Sequence, residues 1–578
     1  MAHPFAPSPK VVLSNLEAFE VHHWPIVRAY AEQLGLVQVV NRLVPSEMEI
    51  DPGTIVLGMV IDTLSGRSPL YHLESFFEQQ DRELLLGREI EARVFNDDNV
   101  GRVLDRVFAA GTQRLFSALS QHAVERFMIP IKHVHHDTTS VSLYGDYQSS
   151  AQPTSPFEIT YGHSKDHRPD LKQFMLSLLC VGGNILILGK VVDGNASDKT
   201  VNNALLSQIS GHLARYGVAP QGFIYLADAA LISPQNLQQL RDKRFISRLP
   251  ASYNEHERVI ATAVAAGRWI ELGIIAESSA SKNRPPAHYK VSDETVTIDG
   301  QDYRAVVVHS SSHDRRRQKR LARQLKSASQ AIEALIKTQR NIDYACQADA
   351  QAEAERLGRQ RSPYHRLEAS VEARPRYAPG RPKSDGARTI KETRYGLQLH
   401  CHEDQAAIAR AREHSGCFVL LTNVAAAGED AYSAEQILRT YKEQHGIEKN
   451  FGFLKDDAIV NALFLKTPER IEALGLILLI ALLIWRLMEF HMRRHLEDTE
   501  RQLPGWNNQP TARPTAYMVT MKFKGVLMLK HDTERRFSRA LSSTQQAFLQ
   551  ALGLNETIFL QPQKAALWPL SPPLIDDG

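Results

Sequence analysis

Thirteen consecutive uncharged residues, Ala473 to Trp485, constrain this chain more than any other stretch. Arg470 and Glu472 stand before the run and Arg486 after it. A helix that spans a bilayer needs about twenty apolar residues, so this run is too short and must be covered by protein. Thr467 followed by Pro468 marks a helix start, because proline at the first helical position sacrifices no intrahelical hydrogen bond. The pattern runs on to about Leu496. A helix that is apolar on every side requires a large core around it. With 578 residues, 43% of them hydrophobic and 23% charged, the chain has globular composition and enough length to supply that core.

Just upstream, Tyr441 to Lys455 predicts one short helix. Ser433 with Gln436 three residues later is a capping-box start, which places the first turn near Ala434. At 100° per residue, Tyr441, Gln444, Glu448 and Lys455 fall within roughly 60° of one another. Ile447, Phe451 and Leu454 form an apolar stripe beside them. Packing by that stripe leaves a phenol, an amide, a carboxylate and an ammonium along the adjoining edge. Such a set suits phosphates and one end of a metal ion, although a solvated face is the commoner meaning of the pattern taken alone.

In chain order, residues 11 to about 125 read as helices with polar breaks, as over Ile26–Leu43, Gly53–Leu64 and Asn99–Phe127. The texture changes at Ile131. From there to Tyr147, β-branched residues alternate and predict a strand. Further strands are expected at Phe174–Val181, Ile185–Val192, Phe223–Ala227 and Phe245–Leu249. Helices at Asn202–Tyr216 and Pro234–Lys243 separate the later ones. Three strands, then helix, strand, helix, strand is a mixed sheet with helices packed on it. Beyond Pro250 the pattern breaks up, with strand-like pieces at Thr295–Ile298, Tyr303–Ser310 and Cys417–Asn423. His313 to about Gly358 reads as one long charged helix whose seam is Leu321, Leu325, Ala328, Ile332, Leu335 and Ile342. Its start, Arg315-Arg316-Arg317-Gln318-Lys319-Arg320, is the strongest basic cluster of the chain. Pro363 to Lys383 reads as a Pro- and Arg-rich loop, and a tail is expected from about Gln502.

Three acids stand out by context. Asp137 lies within a strand, on the side of Ile131, Val141 and Leu143; Asp228 ends the apolar run Phe223–Ala227; Glu448 is on the short helix. A carboxylate at the end of a core strand is costly unless it is paired or holds a metal. If the two aspartate strands are neighbours their carboxylates converge, and Glu448 closes the site from a packed helix. Three convergent carboxylates are what two Mg2+ ions roughly 3.5–4 Å apart require for phosphoryl transfer, with Mn2+ able to substitute. His133, His135 and His136 also cluster, but adjacent strand residues point to opposite faces, which argues against zinc.

Composition narrows the rest. A net charge of +3 leaves any basic surface local. The four cysteines, Cys180, Cys346, Cys401 and Cys417, form no C-x-x-C pair, which argues against a disulfide framework or a cysteine zinc site and fits a reducing cytoplasm. The first residues, with Pro4, Pro7 and Pro9, lack the apolar centre of a signal peptide.

At this point the residues resemble a known family. Tyr441, Gln444, Glu448 and Lys455 keep the spacing of a Y-x2-R-x3-E-x6-K signature. That signature belongs to bacterial insertion-sequence transposases of the DDE type with an RNase H-like core, in the subgroup with a β-rich insertion before the final glutamate. Asp137 in His136-Asp137-Thr138-Thr139-Ser140 and Asp228 in Leu226-Ala227-Asp228-Ala229 resemble the family's two aspartates. Asn96-Asp97-Asp98-Asn99-Val100-Gly101-Arg102 and Tyr161-Gly162-His163-Ser164-Lys165-Asp166-His167-Arg168-Pro169-Asp170 are similar to the same lineage. One departure matters: Gln444 replaces the signature's arginine and offers only neutral hydrogen bonds.

The resemblance implies an α/β fold with an RNase H-like core in two parts (126–250 and 431–500) and an insertion with a long helix between them (251–430). The helical N-terminal region (1–125) is assigned to DNA-end binding by its position and its lack of competing motifs, with dimerisation the alternative, and the C-terminal tail (501–578) to dimerisation or DNA contact. It implies cut-and-paste transposition in the bacterial cytoplasm: binding of terminal inverted repeats, endonucleolytic cleavage, a hairpin intermediate and transfer to target DNA by at least a dimer. Asp137, Asp228 and Glu448 would hold the metals, and Tyr441, Gln444 and Lys455 the phosphates. Lys165, Arg168 and Lys172, in a loop leading to a core strand, and Arg315, Arg316, Arg317, Lys319 and Arg320 are further candidate DNA contacts. A structure-selective nuclease and a catalytically inactive DNA-binding regulator are the competing readings.

Overall fold

A computed structural model describes residues 16–66, 72–147, 155–275, 285–359, 362–379, 388–456, 465 and 467–562. The start of the chain, with Pro4, Pro7 and Pro9, and part of the expected Pro363–Lys383 loop lie outside these residues. The chain divides into two compact units. One comprises residues 1–247 and 440–578, the other residues 248–439.

The first unit is built on the apolar run. Pro468–Thr499 forms a single helix with Pro468 in its first turn, and Ile471, Leu474, Ile477 to Ile484 and Leu487 are buried. It is long and apolar enough to cross a membrane, yet 89% of its most apolar eighteen residues lie inside the protein. The helices Trp24–Gln33, Pro52–Ser65, Asp97–Ala110 and Thr112–Phe127 pack around it. Two expected helices are each split in two. Ile26–Leu43 breaks at Leu34–Gly35, and Asn99–Phe127 breaks at Gly111, whose φ of +90° an L side chain rarely adopts. A strand the sequence reading lacked, β1 (Leu16–Glu20), pairs antiparallel with Leu527–His531. The expected tail from Gln502 is thus largely folded: Arg535 binds Asp81 through two buried hydrogen bonds, at 2.6 and 2.9 Å.

The expected strands of this unit are present: β2 (His133–Leu143), β3 (Lys172–Val181), β4 (Ile185–Val192), β5 (Ile224–Ala227) and β6 (Arg244–Arg248), β4 with the expected ends and the others with shifted ones. Their order is β4-β3-β2-β5-β6, antiparallel across β4, β3 and β2 and parallel across β2, β5 and β6. Successive residues of β2 face opposite layers. His136 turns to the helix Asp198–Ala214, where Asn202 bonds its Nδ1 at 3.1 Å. Val141 faces the other layer, beside Leu454, Ile471 and Leu478.

The second unit holds four antiparallel strands, β7 (Ile270–Ile274), β8 (His288–Ile298), β9 (Gln301–Ser310) and, later in the chain, β12 (Cys417–Thr422), ordered β12-β9-β8-β7. The expected long helix is two, Ser311–Arg340 and Gln347–Gly358. Ile342 therefore leaves the expected seam, and Tyr344 in the gap exchanges two backbone hydrogen bonds with Tyr395, at 2.7 and 3.0 Å. Much of the expected Pro- and Arg-rich loop is a strand. β10 (His365–Tyr377) and β11 (Ile390–Glu403) form an antiparallel ribbon, one face of which covers Ala350, Ala354 and Leu357.

Candidate functional site

Strands β2 and β5 bring the two aspartates together. His135 on β2 lies opposite Leu226 on β5, and two residues further on come Asp137, within β2, and Asp228, just past the end of β5. Asp137 accepts a hydrogen bond from the Thr138 backbone at 2.8 Å. Asp228 caps the turn after β5, accepting from Ala230 N–H at 3.0 Å. Burial pushes the Asp137 carboxyl up to about 6, with repulsion from Asp228 and Asp198 adding to it and the Lys165 charge opposing. Burial and then the Asp198 charge raise the Asp228 carboxyl as well.

Asp198 is a third acid here that the sequence reading missed. It opens the helix Asp198–Ala214, behind the N-cap Ser197, and accepts a hydrogen bond from the Thr138 hydroxyl. In sequence it is an ordinary first-turn acid of the kind helix dipoles favour, so nothing local marks it. Lys165 completes the cluster. Its Nζ donates to Thr138 O at 2.7 Å and Thr138 Oγ1 at 3.0 Å, and lies 3.8 Å from Asp137 and 3.5 Å from Asp198.

The short helix that carries Glu448 departs from expectation. The capping box at its start is present: Ser433 N–H donates to Gln436 and Gln436 N–H to Ser433. The helix is then interrupted, running Ala434–Lys442 and His445–Leu454. Across the break, Gln444, Gly446 and Ile447 bond carbonyls three residues back instead of four. Tyr441 and Glu448 therefore no longer share one continuous face. Two contacts hold the break and the second segment. Glu443 Oε2 lies 2.9 Å from His133 Nδ1 and 3.6 Å from His135 Nε2. Burial alone would raise the Glu443 carboxyl, but its histidine partners outweigh burial and hold it at about 2. Gly446 seats against the β3–β4 turn, where a Cβ would fall 1.6 Å from Asn184 Oδ1.

Glu448 itself points to solvent, two-thirds exposed, and accepts from His445 Nδ1 at 3.0 Å. Asp137 and Asp228 are thus brought together, and Glu448 is not in contact with either. Among the described residues no group of three His, Cys, Asp or Glu side chains stands ready to hold a metal.

The candidate DNA contacts fall into two groups. Arg168 binds Asp170 through two bonds at 2.9 and 2.7 Å, Lys172 lies 3.6 Å from Asp146, and Lys455 donates to Asp166 at 2.6 Å. With Lys165, each of these cations already has a carboxylate. Gln444 and Tyr441 are half-buried beside the break. In the second unit, Arg315, Arg316, Lys319 and Arg320 are exposed, and burial together with Arg248 lowers the Arg317 guanidinium from its usual range.

Comparison with known proteins adds the family. A family model described as a transposase DDE domain matches residues 130–484, and one described as a domain of unknown function, DUF4277, matches residues 16–121. No curated protein matches the chain. The first of these spans more than half of the chain and contains Asp137, Asp228 and Glu448, and DDE transposases act on DNA and generally use divalent metal ions. The chain belongs to the DDE transposase family.

Proposed function

We propose that this is the transposase of an insertion sequence that moves by a cut-and-paste route. It would bind the element's terminal inverted repeats, cleave to free a 3′-hydroxyl, release the second strand through a hairpin and join the ends to target DNA as at least a dimer. The observation that carries this reading is the Asp137–Asp228 pair: two half-buried carboxylates, on adjacent parallel strands, each raised by burial and by neighbouring negative charge.

The donor set fits a hard divalent cation. Its atoms are carboxylate oxygens, and a cation held there would offset the burial and the neighbouring negative charge that raise both aspartates. Asp137 and Asp228 would hold Mg2+ or Mn2+, with Glu448 completing the set after exchanging its hydrogen bond to His445. A metal held by these carboxylates would supply activation of an attacking water or 3′-hydroxyl and charge stabilisation at the leaving oxygen. Lys455 and Tyr441 would orient phosphates at the transferred end, with Gln444 adding a neutral donor. Arg315, Arg316, Arg317, Lys319 and Arg320 would follow the DNA backbone through charge alone. Residues 1–125 would recognise the element's ends.

The test is cleavage of labelled DNA carrying the element's ends, with Mg2+ or Mn2+, by the wild type and Glu448→Gln. Metal-dependent cleavage at the end boundary that vanishes in the variant supports the reading, and a hairpin or joined product separates a transposase from a plain nuclease. Binding without cleavage in either protein moves the reading to the inactive regulator. A variant that cuts as well as wild type removes Glu448 from the site.

A further inference from the structure

The geometry points to Lys165 as a resident counter-cation of the aspartate site, held there by Asp198 and Thr138 and displaced when a divalent metal enters. This inference rests on the metal-site reading above, but its observations are separate. The Lys165 ammonium is surrounded by four oxygens: Thr138 O at 2.7 Å, Thr138 Oγ1 at 3.0 Å, Asp198 Oδ2 at 3.5 Å and Asp137 Oδ1 at 3.8 Å. The Thr138 hydroxyl is committed in turn to Asp198. The Lys165 backbone N–H donates to Ser140 Oγ at 3.0 Å, so its loop is fastened to β2 at Ser140 as well as at Thr138.

Such a placement is not that of a phosphate-binding lysine waiting for DNA, because reaching a phosphate would abandon all four oxygens. Three carboxylates that share one field are costly without a positive charge, and the ammonium is a compact charge suited to a ring of oxygens. Carboxylate, carbonyl and hydroxyl oxygens are also the donor class a hard divalent cation uses. Ammonium and metal therefore compete for one negative site, and Lys165, with its side chain 31% exposed, has a path to solvent. Removing Lys165 should destabilise the metal-free protein and strengthen its hold on metal.

The experiment uses the full-length protein and Mn2+ alone, without DNA. Free Mn2+ is followed by its electron paramagnetic resonance signal, and thermal unfolding is recorded in chelator and in Mn2+. Lys165→Met is expected to melt lower than wild type in chelator, to recover in Mn2+, and to bind Mn2+ roughly three- to tenfold more tightly, as loss of a nearby like charge dictates. Lys165→Arg keeps the charge and should bind Mn2+ close to wild type. Lys165→Gln, which retains donors toward Thr138, carries the same comparison if the methionine variant does not fold. Unchanged or weaker Mn2+ binding in Lys165→Met overturns the inference, as does an equal loss of melting temperature with and without Mn2+. A shallower salt dependence of DNA binding in Lys165→Met would make Lys165 a phosphate contact and also overturn it. If the wild type binds no Mn2+, or Asp137→Asn binds it equally well, the metal site itself fails and this inference with it.

Discussion

The aspartate strands and the glutamate helix carry the same functional group under opposite physical regimes. Asp137 and Asp228 sit on neighbouring strands whose spacing is set by the hydrogen-bond ladder, are partly buried, and feel each other's charge. Glu448 sits on a ten-residue helix behind a break, two-thirds exposed, with a histidine on its own helix as partner. An acid on a central strand is placed by the sheet itself. An acid on a short helix is placed only by what fastens that helix, since so few residues have little helical stability of their own. Here the fastenings are the Gly446 seat, the Glu443–histidine contact and a buried polar network. In that network Arg486 Nε donates to Asn450 Oδ1 at 2.6 Å, and Asn450 Nδ2 donates to the Asn184 carbonyl at 3.1 Å. In the proposed site the strands would therefore supply a pre-built pair, and the helix would supply a third carboxylate whose place depends on those fastenings.

The sharpest way to break this contrast is to neutralise each acid in turn. Asp228→Asn and Glu448→Gln are both expected to lose end cleavage by roughly a thousandfold or more, because a metal's charge stabilisation is worth several kcal/mol. They should differ in metal binding without DNA: Asp228→Asn loses Mn2+, whereas Glu448→Gln retains it. Equal loss of Mn2+ by calorimetric titration would show that Glu448 already belongs to the site in solution, and the contrast would collapse.

Next in size is the fastening of the helix. Glu489 is buried, binds Arg486 at 2.6 Å and Arg493 at 3.1 Å, and accepts from Ala516 N–H at 3.2 Å. Glu489→Ala strands the buried Arg486 guanidinium and should cost about 3 kcal/mol or more in urea unfolding. Replacing Arg486 and Glu489 together with leucine should cost less than Glu489→Ala alone. If the double variant is the worse, the network owes its worth to attraction and not to avoided desolvation.

A smaller effect separates the regimes by pH. The folded Asp137 carboxyl titrates at about 6, above its ordinary 3.8. Between these values the folded state binds more protons than the unfolded chain, so stability falls as pH rises through that interval. The contribution is no more than about 3 kcal/mol at a little over 1 kcal/mol per unit, and partial exposure reduces it. Buried His136, lowered from 6.5 to about 4, acts in the opposite direction, gaining stability as pH rises over that window. The informative quantity is thus the difference between metal-free wild type and Asp137→Asn, measured by urea unfolding from pH 4 to 7. Asp137→Asn should gain on wild type as pH rises; a flat difference would mean that burial does not penalise this carboxylate.

The same contrast explains what the sequence disclosed. β2 to β6 were legible because β-branched and apolar runs report burial locally, and both aspartates interrupt such runs. The buried helix was legible from its missing charges alone. Asp198 was not, because its importance comes from lying beside Thr138, some sixty residues away in sequence. The pairing of β1 with Leu527–His531 was hidden for the same reason. The break at Glu443–Gln444 had only Gly446, two residues on, as a local hint, and His133 and His135 fix it from another element. β10 did carry a signal: Leu367, Ala369, Val371 and Ala373 alternate with Glu368, Ser370, Glu372 and Arg374. Pro375 and the arginines suggested a loop, although proline is tolerated toward the end of an exposed ribbon strand.

The smallest expected effect probes how freely Glu448 moves. His445 and Glu448 are both about two-thirds exposed, so their contact has the character of a surface pair worth no more than about 0.5 kcal/mol. His445→Ala should therefore leave the unfolding midpoint nearly unchanged. If this contact competes with the site for Glu448, its removal should raise cleavage at limiting Mn2+ by about twofold, the population change that so small a free energy allows. The gain should disappear at saturating Mn2+, where the site already holds the glutamate. A loss of tenfold or more would instead place His445 within the catalytic arrangement, and the glutamate helix would be as pre-built as the aspartate strands.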